Sequence, residues 1–103
     1  MNPLRKLGWL LAALSLTVLA GCNRGPTKMK VAFVSNNAES FWTIAEAGAK
    51  KAADEADVEL LFKKPATGDV ATQKEIIDTV LNQGVKAIAV SVIDPKNQRG
   101  YLN

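Results

Sequence analysis

The densest group of side chains able to recognise a small molecule lies in residues 36–42. There the amides Asn36 and Asn37 are followed by the aromatic pair Phe41 and Trp42. A primary amide both donates and accepts hydrogen bonds, which suits a hydroxyl-rich ligand. An aromatic ring suits the apolar C–H face of a sugar. Asp94, directly before Pro95, is a further acceptor that could join them. Each also has a structural alternative. Asparagines after an apolar run make turns, Phe41 falls on an apolar helical stripe, and an Asp before Pro caps a helix. Trp42 points about 100° away from Phe41 around a helix and is the better candidate for a ligand wall or an interdomain surface. Lys63 and Lys64 read as solvated or strand-end charges.

Catalytic readings find little support. The chain has no histidine, so the commonest general base and metal ligand is missing. Residues 35–40, Ser-Asn-Asn-Ala-Glu-Ser, contain no glycine, so this loop is neither a phosphate loop nor a dinucleotide fingerprint. Glu39, Asp69 and Asp94 are single carboxylates at strand ends, weak grounds for acid–base chemistry. The expectation is a binding protein, not an enzyme, with no metal and no cofactor.

These residues need a scaffold, and the hydrophobic pattern supplies one. Residues 31–34, Val-Ala-Phe-Val, form a continuous apolar run of the kind found in a strand covered on both faces. Ser35, Asn36 and Asn37 end it. Phe41, Ile44, Ala45, Gly48, Ala52 and Ala56 recur at spacings of three or four and predict a helix burying that stripe. Ser40 is its expected N-cap, and Glu46 with Lys50 forms a favourable i,i+4 pair. Residues 58–62 read as a second strand and 66–68 as a loop. Asp69 begins a second helix with Val70, Gln73, Ile77, Val80 and Leu81 on its buried side. Gly84 stands where a helix C-terminus needs a left-handed residue. Residues 86–92 give a third strand, and Asp94-Pro95 opens a third helix. The order β-α-β-α-β predicts an α/β fold with a parallel sheet, right-handed crossovers and helices on its faces. In such sheets ligands bind beyond the carboxyl ends of the strands. Residues 35–42, 63–68 and 91–94 all fall there.

The N-terminus carries a different signal. Arg5 and Lys6 precede an uncharged, Leu- and Ala-rich run over residues 7–20. This is the pattern of a secretory signal peptide, too short for a stable membrane-spanning helix. It ends Leu19-Ala20-Gly21-Cys22, which looks like a bacterial lipobox. Residues 1–21 are therefore expected to be removed and Cys22, the only cysteine, to be lipidated. Residues 22–29 then form a lipid-anchored tether. Removing 21 of 103 residues leaves 82, room for one small domain. With Arg5 and Lys6 gone, thirteen basic residues become eleven against ten acidic. The basic character of the whole chain thus owes much to the signal and gives no footprint for nucleic acid. No disulfide can form within one chain.

Taken in order, the lipobox, Lys-Val-Ala-Phe-Val-Ser-Asn-Asn (30–37), the helix opened by Ser40-Phe41-Trp42, the run 73–90 and Asp94-Pro95-Lys96-Asn97-Gln98 resemble the sugar-type periplasmic binding proteins. These are the ribose-binding-protein-like members of the type I periplasmic binding fold. The resemblance covers residues 30 to about 100. It implies capture of a monosaccharide or related small polar ligand in the cell envelope, facing the periplasm or the cell exterior, and delivery to the permease of an ABC importer. Asn36 or Asn37, with Phe41 and Trp42, would belong to the first ligand wall. Residues 30–103 would make an incomplete N-terminal lobe, unable by itself to enclose a sugar. Two alternatives are a truncated anchored fragment without a transport role and a binder of a non-sugar polar ligand. Repressors of the lac type share the fold but begin with a DNA-binding helix-turn-helix, which a lipoprotein signal displaces here.

Overall fold

The fold is known from a computed structural model that describes residues 25–103. The expected signal peptide, the lipidation site Cys22 and the start of the tether lie outside these residues. Three strands, β1 (Met29–Val34), β2 (Val58–Lys63) and β3 (Ala87–Val90), alternate with three helices, α1 (Ser40–Glu55), α2 (Val70–Asn82) and α3 (Pro95–Leu102). β1 thus begins one residue inside the expected tether. β3 is shorter at both ends than the run 86–92.

The sheet is parallel, in the order β2-β1-β3, with Val34 opposite both Lys63 and Val90. From β1 the chain crosses to one side to make β2, then returns past β1 to make β3. Side chains alternate along a strand, so β1 presents Ala32 and Val34 to one face and Val31 and Phe33 to the other. The first face is aliphatic. Ala32 and Val34 pack with Ile77 and Val80 of α2, bordered by Leu61, Ile76, Val85, Ile88, Val90 and Tyr101. The second face is aromatic. Phe33 stacks on Phe62 with ring centroids 4.8 Å apart, and Trp42 of α1 lies against Phe33 at 5.6 Å.

α1 does not bury the stripe its spacing predicts. Phe41 is 64% exposed and Ile44 76%, and Gly48, Ala52 and Ala56 also face outward. The buried side runs instead through Trp42, Ala45, Glu46, Ala49 and Ala53, about one residue, or 100°, further round. The helix carries alanines on every side, so periodicity does not distinguish its faces. Trp42 against Phe33 and an ion-pair cluster settle the rotation. Glu46 accepts from Lys50 and from Lys64 at the end of β2, each at 2.7 Å. Those two ammonium groups, Lys50 first, hold the Glu46 carboxyl down at about 2. Lys64, directly after β2, is thus a strand-end charge tied to α1. Ser40 is not the cap. Glu39 occupies that position without a side-chain cap bond, and its carbonyl accepts the first helical bond from the Trp42 N–H at 2.9 Å.

α2 follows expectation more closely. Asp69 caps it, accepting from the Thr72 amide at 2.8 Å, and Gln73, Ile77 and Val80 are buried. Leu81, one step round from Val80, is exposed. Gly84 takes φ 79° just beyond the helix, the left-handed conformation that glycine adopts at least cost. Asp94 caps α3, with Pro95 in its first turn. Tyr101 of α3 donates to Asp78 of α2 at 2.7 Å and lies under Lys74, 4.5 Å from the ring centroid.

Two measurements check this packing. Ile77→Ala, at a residue 2% exposed, is expected to destabilise by roughly 2–5 kcal/mol in urea melts. Ile44→Ala should stay within about 0.5 kcal/mol; the reverse ranking would restore the predicted stripe. Tyr101 is the only tyrosine, so tyrosinate absorbance reads it directly. Burial first, then the bond to Asp78, push its hydroxyl up to about 12, against about 10 unperturbed. A group raised on folding contributes its stability below the unfolded value. The α2–α3 contact should hold in full below about pH 10 and be lost as pH rises through about 12.

Candidate ligand-binding site

A parallel sheet whose order is β2-β1-β3 has its topological switch point between β1 and β3. The chain leaves β1 for the aromatic face through α1 and reaches β3 from the aliphatic face through α2. The loops after β1 and β3 therefore diverge, and a crevice opens between them at the carboxyl end of the sheet, where open α/β sheets bind ligands. The β1–α1 loop brings Asn36 and Asn37 to this end, and the first turn of α1 brings Phe41 and Trp42. The β3–α3 loop brings Ser91 and Asp94. All five side chains expected in the site stand at the same end of the sheet, on these two loops and the first turn of α1.

Most of the polar groups among them are already occupied. The Trp42 indole N–H donates to Asn36 Oδ1 at 2.8 Å. Asn37 Oδ1 accepts from the Glu39 amide at 3.0 Å, an Asx turn that shapes the entry to α1. Asp94 Oδ1 accepts from the amides of Lys96 and Asn97, both at 3.1 Å, and Oδ2 accepts from Asn97 Nδ2 at 2.6 Å. The Asn97 amide and side chain hold the Asp94 carboxyl below the usual aspartate range. For Asn37 and Asp94 the structural alternatives, a turn and a helix cap, are thus realised, whereas Asn36 bonds the Trp42 indole. Both asparagines keep their side-chain Nδ2 groups out of these bonds.

The two aromatics exchange the roles expected of them. Trp42 is half-buried between Phe33 and the edge of Phe41, whose ring centroid is 5.1 Å away. Phe41 is the ring left open to solvent. A half-buried indole held by a hydrogen bond is a rigid backing, and the exposed phenyl ring is the free apolar face. The β2–α2 loop closes in from the other side of β1. A Cβ placed on Gly68 would lie 3.5 Å from the Asn36 carbonyl oxygen, an ordinary contact that marks how near the two loops run.

Below the loops lie two residues whose functional weight sequence reasoning missed. Ser35 is fully buried; its Oγ donates to the Asn37 carbonyl at 2.6 Å and its amide to the Lys63 carbonyl at 2.9 Å. Gln73 is fully buried too. Its Nε2 donates to the Ser35 carbonyl at 3.0 Å and the Ser91 carbonyl at 2.8 Å. One amide thus spans the base of the crevice. The available signal was a glutamine on the buried stripe of α2, a polar group that must find partners. Without it two buried carbonyls would lose their donor, at about 1–3 kcal/mol each. Among the described residues no group of three or more acidic, His or Cys side chains could hold a metal. Nor is any helix among them long and apolar enough to cross a membrane.

The aromatic roles can be separated. Trp42→Ala should destabilise the fold by roughly 2–4 kcal/mol, somewhat less than a fully buried aromatic. Phe41→Ala should cost under about 1 kcal/mol, mostly its edge contact with Trp42. Chemical denaturation of both variants checks the order, and an equal loss would mean that Phe41 is packed.

The parallel α/β sheet agrees with comparison to known families. A model of the periplasmic binding protein domain matches residues 31–103. No curated protein matches the sequence. The match takes in every described strand and helix except the first two residues of β1, and this chain belongs to the periplasmic binding protein domain family.

Proposed function

We propose that the chain is the ligand-capturing part of a lipid-anchored, sugar-binding component of an ABC-type importer. Membership of a family of solute-binding proteins carries the general reading. The observation that favours a sugar is the exposed Phe41 ring, 64% open, beside the Nδ2 donors of Asn36 and Asn37, which bond to no other side chain among the described residues, at a switch-point crevice. An apolar plate next to hydrogen-bonding groups matches a pyranose or furanose ring, which alternates C–H faces with hydroxyl edges. Asn36, Asn37, Phe41, Trp42 and Asp94 are the proposed ligand-site residues. Trp42 acts chiefly as backing for Phe41, and Asp94 as the anchor of the third loop. Cys22 is the proposed lipid attachment, which would place the domain at the envelope surface near its permease.

The described residues offer one wall. Small-molecule sites gain affinity by burying most of the ligand, so this wall alone should bind a monosaccharide only weakly. Titrating the isotopically labelled chain with pentoses and hexoses, followed by NMR, tests the reading. Shifts are expected at the Asn36 and Asn37 side-chain amides, the Trp42 indole and the Ser91 and Asp94 amides, without micromolar heats in calorimetry. Shifts with polar non-sugar ligands only would replace the sugar, and silence with every ligand would remove the site.

Anchoring has its own check. The mass of the product extracted from host membranes with detergent should show a lipidated species beginning at Cys22, lost in Cys22→Ala. An unlipidated product with an intact N-terminus would overturn it.

A further inference from the structure

Beyond the last strand pair, Val34 and Val90, the backbone bond from the Ser91 N–H to the Val34 carbonyl at 2.9 Å closes the β1–β3 ladder, and the two loops that bound the crevice then part. A buried relay of side-chain amides joins them. Gln98, on α3, is 2% exposed and Gln73, on α2, is completely buried. Gln98 Oε1 accepts from the amides of Ile93 and Asp94, each at 2.8 Å, and so holds the β3–α3 loop. Gln98 Nε2 donates to Gln73 Oε1 at 2.7 Å. Gln73 Nε2 passes the chain on to the carbonyls of Ser35 and Ser91. Next to Ser35 stands Asn36, whose Oδ1 takes the Trp42 indole proton. A continuous path of hydrogen bonds and one peptide unit thus runs from the cap of α3 to the aromatic pair of α1.

We propose that Gln73 and Gln98 are positioning residues of the ligand site, a relay that couples the β3–α3 loop to the β1–α1 loop so that neither changes its setting independently. Two features favour this over mere filling of the core. First, an aliphatic residue of similar volume would fill the same space, yet both positions carry an amide whose oxygen and nitrogen are each used. Second, the direction of donation is forced. Gln73 faces two carbonyls and must point Nε2 at them, which turns its Oε1 toward Gln98. Gln98 faces two amide N–H groups and must point Oε1 at them, which turns its Nε2 toward Gln73. Each loop thereby dictates the orientation of one amide, and the two orientations fit only each other. The inference rests on reading the crevice as the ligand site. Its test is made without ligand, so failure of the sugar reading and failure of the coupling are separately visible.

The reporter is the Trp42 indole N–H in the full chain carrying Trp9→Phe, which leaves a single tryptophan. Gln98 makes no hydrogen bond to Trp42, Asn36 or Ser35. In Gln98→Leu the indole resonance should nevertheless move, and its exchange with solvent should quicken by about tenfold, as expected when a hydrogen bond is loosened. Gln73→Leu should do the same, and the double variant should add nothing further, the signature of residues acting through one path. Ile77→Ala, destabilising but outside the relay, should leave the indole where it was. Equal responses to Ile77→Ala and Gln98→Leu would reduce the relay to general stability and overturn the proposal.

Should the leucine variants fail to fold, Gln98→Glu isolates the one link. Its carboxylate still accepts from Ile93 and Asp94 but meets Gln73 Oε1 with no proton between them. Protonation restores the donor. The indole should be displaced at neutral pH and return toward the parent position as pH falls, with the parent, which shares Asp69, Asp78 and Asp94 nearby, as reference. An indole that follows the parent at every pH would overturn the coupling.

Discussion

Where two parallel strands part at a switch point, the backbone beyond their last ladder pair faces a widening gap. Here the Ser35 and Ser91 carbonyls stand at that gap, and both accept from the single amide of Gln73. The rest of the candidate site depends on this bridge. It gives the carbonyls at the base of the crevice a donor, which a low-dielectric interior requires of polar groups. It also ties together the starting points of the two loops at the candidate site. No buried side-chain nitrogen or oxygen among the described residues lacks a partner, so the network is complete and not half-satisfied.

From this base the first loop rises as a self-bonded unit. Ser35 Oγ reaches the Asn37 carbonyl, Asn37 Oδ1 receives the Glu39 amide, and Asn36 Oδ1 receives the Trp42 indole. Each bond uses a group that composition alone would assign to ligand. The consequence is preorganisation. A wall whose acceptors are internally bonded loses little conformational freedom on binding, and the Phe41 ring stands exposed beside it. The aromatics continue the same principle as a graded stack, from Phe62 and Phe33 on the sheet through half-buried Trp42 to exposed Phe41. Rigid rings make the exposed member a fixed surface.

The two faces of the sheet are held in different ways. The aliphatic face is closed by α2, with α3 pinned to it through Tyr101 and Asp78. The aromatic face is held by α1, which is small along most of its length and relies on Trp42 and on the Glu46 ion pairs at its lower turn. Surface ion pairs contribute little to global stability. The value of Glu46 lies in joining Lys64, at the carboxyl end of β2, to the first turns of α1, and so in fixing the angle at which Phe41 and Trp42 are presented. On β3, Ala87 and Ala89 remain exposed on this same face.

The amino-acid pattern by itself determined the number, type and order of the elements, the parallel sheet and the end of it where a site would form. Apolar runs of strand length, helical periodicity, the caps Asp69 and Asp94 and the left-handed Gly84 are local signals, decided within a few residues by sterics and hydrogen bonding. Tertiary structure decided the rest, because each remaining question compares partners far apart in the chain. The rotation of α1 was one. Its alanines made several faces equally plausible until Phe33 on β1 and Lys64 just past β2 selected the face carrying Trp42 and Glu46. The use of Gln73 was another. A glutamine on a buried stripe announces that it needs partners, but its partners are the ends of β1 and β3, at residues 35 and 91, which adjoin only when the sheet has formed. The candidate residues themselves were visible by type. Whether an asparagine oxygen faces a ligand or an indole depends on where α1 comes to rest, and only long-range packing settles that.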